Sequence, residues 1–200
     1  MRTYHVIYAG PFLSGRSTSL RLLCQPRDGE SWGAPNYLRY PLARDLERGA
    51  EITTASGAAR VQIALVYWGN HWFPTISAAR ASDLHPQYLD HIERLVAFMP
   101  VLDGVVFIAD SQPERTEANL ETLEMLLEFM REQGIDPAHV PFVFQLNKRD
   151  IPDVLGVEEL RTILATPCCA HVESIAVQQR GVHEALETLL RLADDPHSRP

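Results

Sequence analysis

Gly10-Pro11-Phe12-Leu13-Ser14-Gly15-Arg16-Ser17 is the stretch of this 200-residue chain in which residue type and spacing point most directly to chemistry. It satisfies G-x-x-x-x-G-K-[ST] at every fixed position but one, with Arg16 where lysine belongs. The apolar run His5-Val6-Ile7-Tyr8-Ala9 precedes it, and a helical pattern from Thr18 to Leu23 follows. Strand, glycine-bracketed loop and helix make a cradle. Gly10 and Gly15 let the backbone turn without a Cβ, and its N–H groups and the helix N-terminus converge on one point that suits an anion. Gly10, Ser14, Gly15, Arg16, Ser17 and Thr18 are the candidate phosphate-binding residues.

A second constellation, Asn147-Lys148-Arg149-Asp150, closes an apolar run that reads as a central strand. Open α/β sheets bind ligands at that edge. The pattern N-K-x-D fits guanine, which presents an N1–H and a 2-amino group side by side to one carboxylate, here Asp150. Adenine has an acceptor at N1 and would leave Asp150 unpaired. Asn147 is placed to tie this loop to the phosphate loop and to reach the base, and the Lys148 stem to cover the ring face. Ser174-Ile175-Ala176, after the last strand pattern, falls where a backbone N–H would meet the guanine O6. The same three residues also read as an ordinary strand end.

Six apolar segments supply the strands that must position these residues: 4–9, 37–42, 61–67, 102–109, 140–146 and 172–176. Glu51 to Ala59 reads as the turn joining two of them in a hairpin. Helical periodicity marks 16–24, the stretch after Pro86 with Leu89, Ile92, Leu95 and Val96, the run through Leu120, Leu123, Leu127 and Met130, and the segments 157–164 and 182–192. Ser111-Gln112-Pro113-Glu114 reads as a capping box. Gln25 to Asn36 reads as a loop beside the phosphate site. The alternation implies an α/β fold, with a central, mostly parallel six-stranded sheet, one antiparallel hairpin strand and helices on both faces. One domain, residues 1–195, and a short tail, 196–200, account for the chain.

The formal net charge of −8, with no basic cluster, argues against a nucleic-acid partner. No apolar run approaches membrane-spanning length. The first residues carry no signal peptide and no myristoylation glycine, and the last carry no prenylation cysteine, so the expectation is a cytoplasmic protein with no intrinsic membrane anchor. Three cysteines, with Cys168 and Cys169 adjacent, suit reduced thiols rather than a disulfide framework. His85 and His91 do not share a helical face, so they suggest no metal site. Glu114, Glu117, Glu121, Glu124 and Glu128 read as a solvated helix face. Trp68, Trp72 and Phe73 sit in an irregular, Gly- and Pro-flanked segment and read as a partner-facing patch, with core residues as the alternative.

Gly10 to Ser17, Asp103 to Gln112 and Asn147 to Asp150 together resemble the bacterial Ras-like small GTPases of the MglA group, the gliding-motility and polarity switches. Ala118-Asn119 and Glu132-Gln133-Gly134 match as well. The resemblance implies a Ras-like P-loop domain, a GDP or GTP site, and a protein partner of the roadblock/LC7 (MglB-like) class.

The chain departs from that family where hydrolysis is organised. Lysine is a compact point charge, whereas the Arg16 guanidinium is bulkier and planar. Phe12 stands where the family has glycine, close to the γ-phosphate, so its ring is expected to crowd the γ-phosphate pocket or cover the loop. Val66-Tyr67-Trp68-Gly69-Asn70 stands at the second switch. Val66 cannot hold a magnesium-bound water, and Asn70, the degenerate catalytic position, is one methylene short of the water-positioning glutamine. Residues 25–42 hold no threonine for Mg²⁺, which leaves Ser17 as the metal-side ligand. These departures favour a pseudo-GTPase that binds nucleotide weakly or without cycling and works through protein contacts. An active polarity or motility switch, and a nucleotide-free scaffold with Phe12 and Arg16 filling the site, are the alternatives.

Overall fold

A computed structural model describes residues 2–23, 50–54, 57–65, 96–97, 99–166 and 169–195. The first-switch region, the segment holding Val66, Trp68, Asn70, Trp72 and Phe73, the strand expected at 37–42 and the tail at 196–200 lie outside them. Of the helix expected after Pro86, only residues 96–97 are described.

Six strands among the described residues form one sheet: β1 (Thr3–Ala9), β2 (Ala50–Thr54), β3 (Gly57–Leu65), β4 (Gly104–Asp110), β5 (Phe142–Asn147) and β6 (Ala170–Glu173). Their order is β2-β3-β1-β4-β5-β6. β1, β4, β5 and β6 make a wholly parallel body beside the site, β3 continues it beyond β1, and β2 pairs antiparallel at the edge. The chain leaves β1 to one side for β3 and returns on the other for β4. That reversal puts the loop after β1 at the sheet's topological switch point, where open α/β sheets hold ligands.

β4 is buried along its whole length, and its residues alternate between two cores. Val106 and Ile108 join Val6, Tyr8, Leu186 and Leu189 on one face, beneath α1 (Arg16–Leu23) and α4 (Val182–Asp194). Val105, Phe107 and Ala109 join Leu126, Met130, Phe144 and Leu160 on the other, beneath α2 (Thr116–Glu132) and α3 (Val157–Ile163). A continuous apolar strand with helices on both faces is the arrangement a parallel sheet requires. Each large side chain buried there contributes about 1.5–3 kcal/mol of transfer free energy.

Three local expectations are corrected. Glu51 to Ala59 holds the connection of a hairpin but is mostly strand: its ends belong to β2 and β3, paired from Ala50 opposite Val61 to Thr54 opposite Gly57. The β-branched run Ile52-Thr53-Thr54 favours the extended backbone. The capping box at Ser111 is not formed either. Ser111 is fully buried, and its backbone N–H and C=O pair with Asn147 and Leu155. The 3₁₀ turn Pro113–Arg115 then leads into α2 with Gln112 at its cap and no capping side-chain bond. The last strand ends at Glu173 rather than Ala176, which leaves Ser174, Ile175 and Ala176 in the loop beyond it.

Candidate functional site

The loop after β1 turns through Gly10 at φ +146° and Gly15 at φ +103°. Both positions need glycine for space as well as conformation. A methyl at Gly10 would come 2.3 Å from the Ile108 carbonyl oxygen, and one at Gly15 would come 2.1 Å from the Asn147 amide nitrogen. Between them Ser14 N–H donates to Pro11 O at 3.2 Å, and Ser19 N–H to Gly15 O at 2.9 Å opens α1. The first turn of a helix has N–H groups with no partner inside the helix, and here that turn begins inside the loop. Ser14 and Arg16 are buried, Ser17 is exposed and Thr18 is half-buried.

Phe12 is 50 % exposed and Leu13 67 % exposed. The Phe12 carbonyl oxygen is the anchored part, accepting from Arg115 Nη2 at 2.6 Å. Leu13 holds a left-handed φ of +66°, a strain that non-glycine residues keep where surrounding structure fixes them.

Asn147 ties three segments together. Its Nδ2–H donates to Ser14 O at 2.7 Å in the phosphate loop, while its Oδ1 accepts Ser174 Oγ–H at 3.0 Å and Ala176 N–H at 2.9 Å. The side chain is buried, so the Ser14 carbonyl and the Ala176 N–H depend on it, while Ser174 Oγ–H also reaches the Leu146 carbonyl at 3.5 Å. Asp150 lies on the same loop with its carboxylate exposed. Lys148, at φ +67°, sends Nζ to Asp110 Oδ2 at 2.6 Å and Gln112 Oε1 at 2.9 Å. Arg149 turns the other way, to Glu173 and the Leu155 carbonyl. Beyond that loop a cavity of about 240 Å³ is lined by Arg149, Glu173, Ser174, Ile175 and Arg180.

The sheet thus brings the phosphate-loop candidates (Gly10, Ser14 to Thr18), Asn147 to Asp150 and Ser174 to Ala176 to one edge. Sequence reasoning missed the side chains beneath them: Asp110, Gln112, Arg115 and Asn119. The available signal was Asp110 itself, a carboxylate closing an apolar buried run, which requires partners.

A stretch of 91 residues is 44% identical to the mutual gliding-motility protein MglA of Myxococcus xanthus. Over that stretch the chain is MglA-like. The match covers 46% of the chain and 47% of that protein, so the chain spans about half the length of the curated relative it matches. No family model matches. Among the described residues there is no cluster of His, Cys, Asp or Glu that could hold a metal, and no helix is long and apolar enough to cross a membrane. MglA-likeness and a parallel sheet with its phosphate-loop motif at the switch point agree with a Ras-like small-GTPase fold.

Proposed function

We propose that the chain is a guanine-nucleotide-binding protein of MglA type, one that holds GDP or GTP without efficient cycling and acts through protein contacts. The observation that carries this reading is the Asn147 side chain, which joins a glycine-bracketed phosphate loop to the loop Ser174–Ala176 beside an exposed Asp150. In this reading Asp150 accepts both guanine donors, the loop and the α1 N-terminus meet the phosphates, and Ser174 to Ala176 border the base. Both glycines are held by the protein's own packing, because a Cβ at either would collide with Ile108 O or Asn147 Nδ2 and push the phosphate loop off the loops that border it.

Mg²⁺, when bound, neutralises charge on the phosphate oxygens. Ser17, exposed in the first turn of α1, is the residue that would hold it. The other residues of the chain that bear on hydrolysis are substituted: Arg16 for lysine, Phe12 for glycine, Val66 and Asn70 at the second switch. Phosphoryl transfer rests on positioning and charge stabilisation, so losing several of these parts leaves binding with little turnover. A roadblock/LC7-class protein is the proposed partner and Trp68, Trp72 and Phe73 its proposed contact, in a cytoplasmic setting.

Two measurements on the purified protein test this. Denaturation followed by chromatography should release guanosine nucleotides and no adenosine nucleotides. Steady-state phosphate release should run at or below the intrinsic small-GTPase rate of about 3–5 × 10⁻⁴ s⁻¹. Robust, Mg²⁺-dependent GTP turnover, alone or with a roadblock protein, would instead make the chain a working switch.

A further inference from the structure

Asp110 ends β4, and its carboxylate is fully buried where the loops after β4 and β5 meet. A buried carboxylate is costly unless paired, so the groups facing it define its part in the structure. Two cations face it, one from each loop. Lys148, after β5, donates to Asp110 Oδ2 at 2.6 Å. Arg115, after β4, brings Nε to 3.7 Å of that same oxygen, while its Nη2 holds the Phe12 carbonyl of the phosphate loop. Arg115 Nε is buried and makes no hydrogen bond. Its contact with Asp110 is therefore an ion pair, with roughly 0.8 Å to close before it reaches hydrogen-bond length.

The carboxylate itself is fixed. Oδ1 accepts Gln112 N–H at 3.2 Å, and Asn119 grips the Asp110 backbone with Oδ1 on its N–H at 2.9 Å and Nδ2 on its C=O at 2.8 Å. The cations must adjust to the carboxylate, and both share the charge of one oxygen.

We propose that Asp110 is a positioning residue for nucleotide binding: the shared counter-ion through which Lys148 on the base side and Arg115, the clamp on the phosphate loop, set each other's position. The functional half rests on the nucleotide-binding reading; the mechanical half does not. Drawing Lys148 off Oδ2 leaves Arg115 to balance the buried charge alone, which pulls its Nε in to Oδ2, and the closed Arg115–Asp110 bond stiffens the hold on Phe12. Asn147 links the same loops by a direct neutral bond, so the relay is a second, charge-dependent route.

Hydrogen exchange on the full chain without nucleotide tests the mechanics. Lys148→Met should slow exchange across residues 10–15 about twofold or more, because Arg115 then has Asp110 to itself. In an Asp110→Asn background, which removes the shared charge while keeping the shape, Lys148→Met should change nothing there. Equal effects in both backgrounds, faster exchange, or no change in either would overturn the relay. A GDP titration tests the functional half separately: Arg115→Met should weaken binding about tenfold. Unchanged affinity overturns the functional half. Absence of GDP binding by the unmodified protein removes the nucleotide reading and with it that half, while the exchange result still decides the relay.

Discussion

Replacing Asn147 by alanine removes a side chain that bonds the phosphate loop and the Ser174–Ala176 loop at once. Three hydrogen bonds disappear, at 2.7, 3.0 and 2.9 Å. A typical net bond is worth about 0.5–1.5 kcal/mol, and a buried group left unsatisfied costs about 1–3 kcal/mol. The Ser14 carbonyl and the Ala176 N–H both lose a buried partner, so the expected loss is about 3 kcal/mol. For a chain of this length that lowers the melting midpoint by roughly 6–12 °C. Asn147→Asp should not rescue it: the acceptor survives, but a carboxylate oxygen then faces the Ser14 carbonyl where a donor stood. Urea unfolding followed by circular dichroism reads both variants, with a lower midpoint and an unchanged slope. A loss under about 0.5 kcal/mol for Asn147→Ala, or wild-type behaviour of Asn147→Asp, would refute the account of Asn147 as the brace.

Three further outcomes follow from single contacts. Gln145 donates Nε2–H to Ser19 Oγ at 3.1 Å, but its buried Oε1 has no partner, so the double change Gln145→Leu with Ser19→Ala should be neutral or stabilising in the same unfolding assay. Gly15→Ala should cost about 2 kcal/mol or more, since φ +103° disfavours a Cβ and the Asn147 amide stands in its way. Burial lowers the pKa of His171, which stacks on Phe144 at 5.4 Å, so the fold favours the neutral ring. Its contribution is fully present above the unfolded value near 6.5 and is lost as pH falls from there toward the lower folded value; His171→Gln should flatten that part of the stability–pH curve, and an unchanged slope would contradict it.

The elements beside the site were legible because each is locally determined. A buried parallel strand such as 104–110 is an apolar run, and a phosphate loop is a glycine spacing between a strand and a helix. The loop beyond β6 was half-legible: Ser174 reads equally as strand or loop until Asn147 takes its hydroxyl. The extent of the hairpin turn was misread because small residues and Gly57 suggested a long turn, while the stretch around it is paired as strand from Ala50 opposite Val61 to Thr54 opposite Gly57. Ser111 looked like a cap because local spacing says nothing of the Asn147 and Leu155 backbones that claim it. Asp110 and Arg115 were invisible as a pair with Lys148 for the same reason: their meeting depends on β4 lying beside β5.

Calorimetry with GDP and ADP tests the central claim most directly. The account predicts GDP binding with at least about 100-fold preference over ADP, because adenine leaves Asp150 without donors. It also predicts that Asp150→Asn weakens GDP and strengthens XDP, whose 2-oxo group meets the new amide donor. Equal affinity for GDP and ADP, or no binding of either, would contradict it.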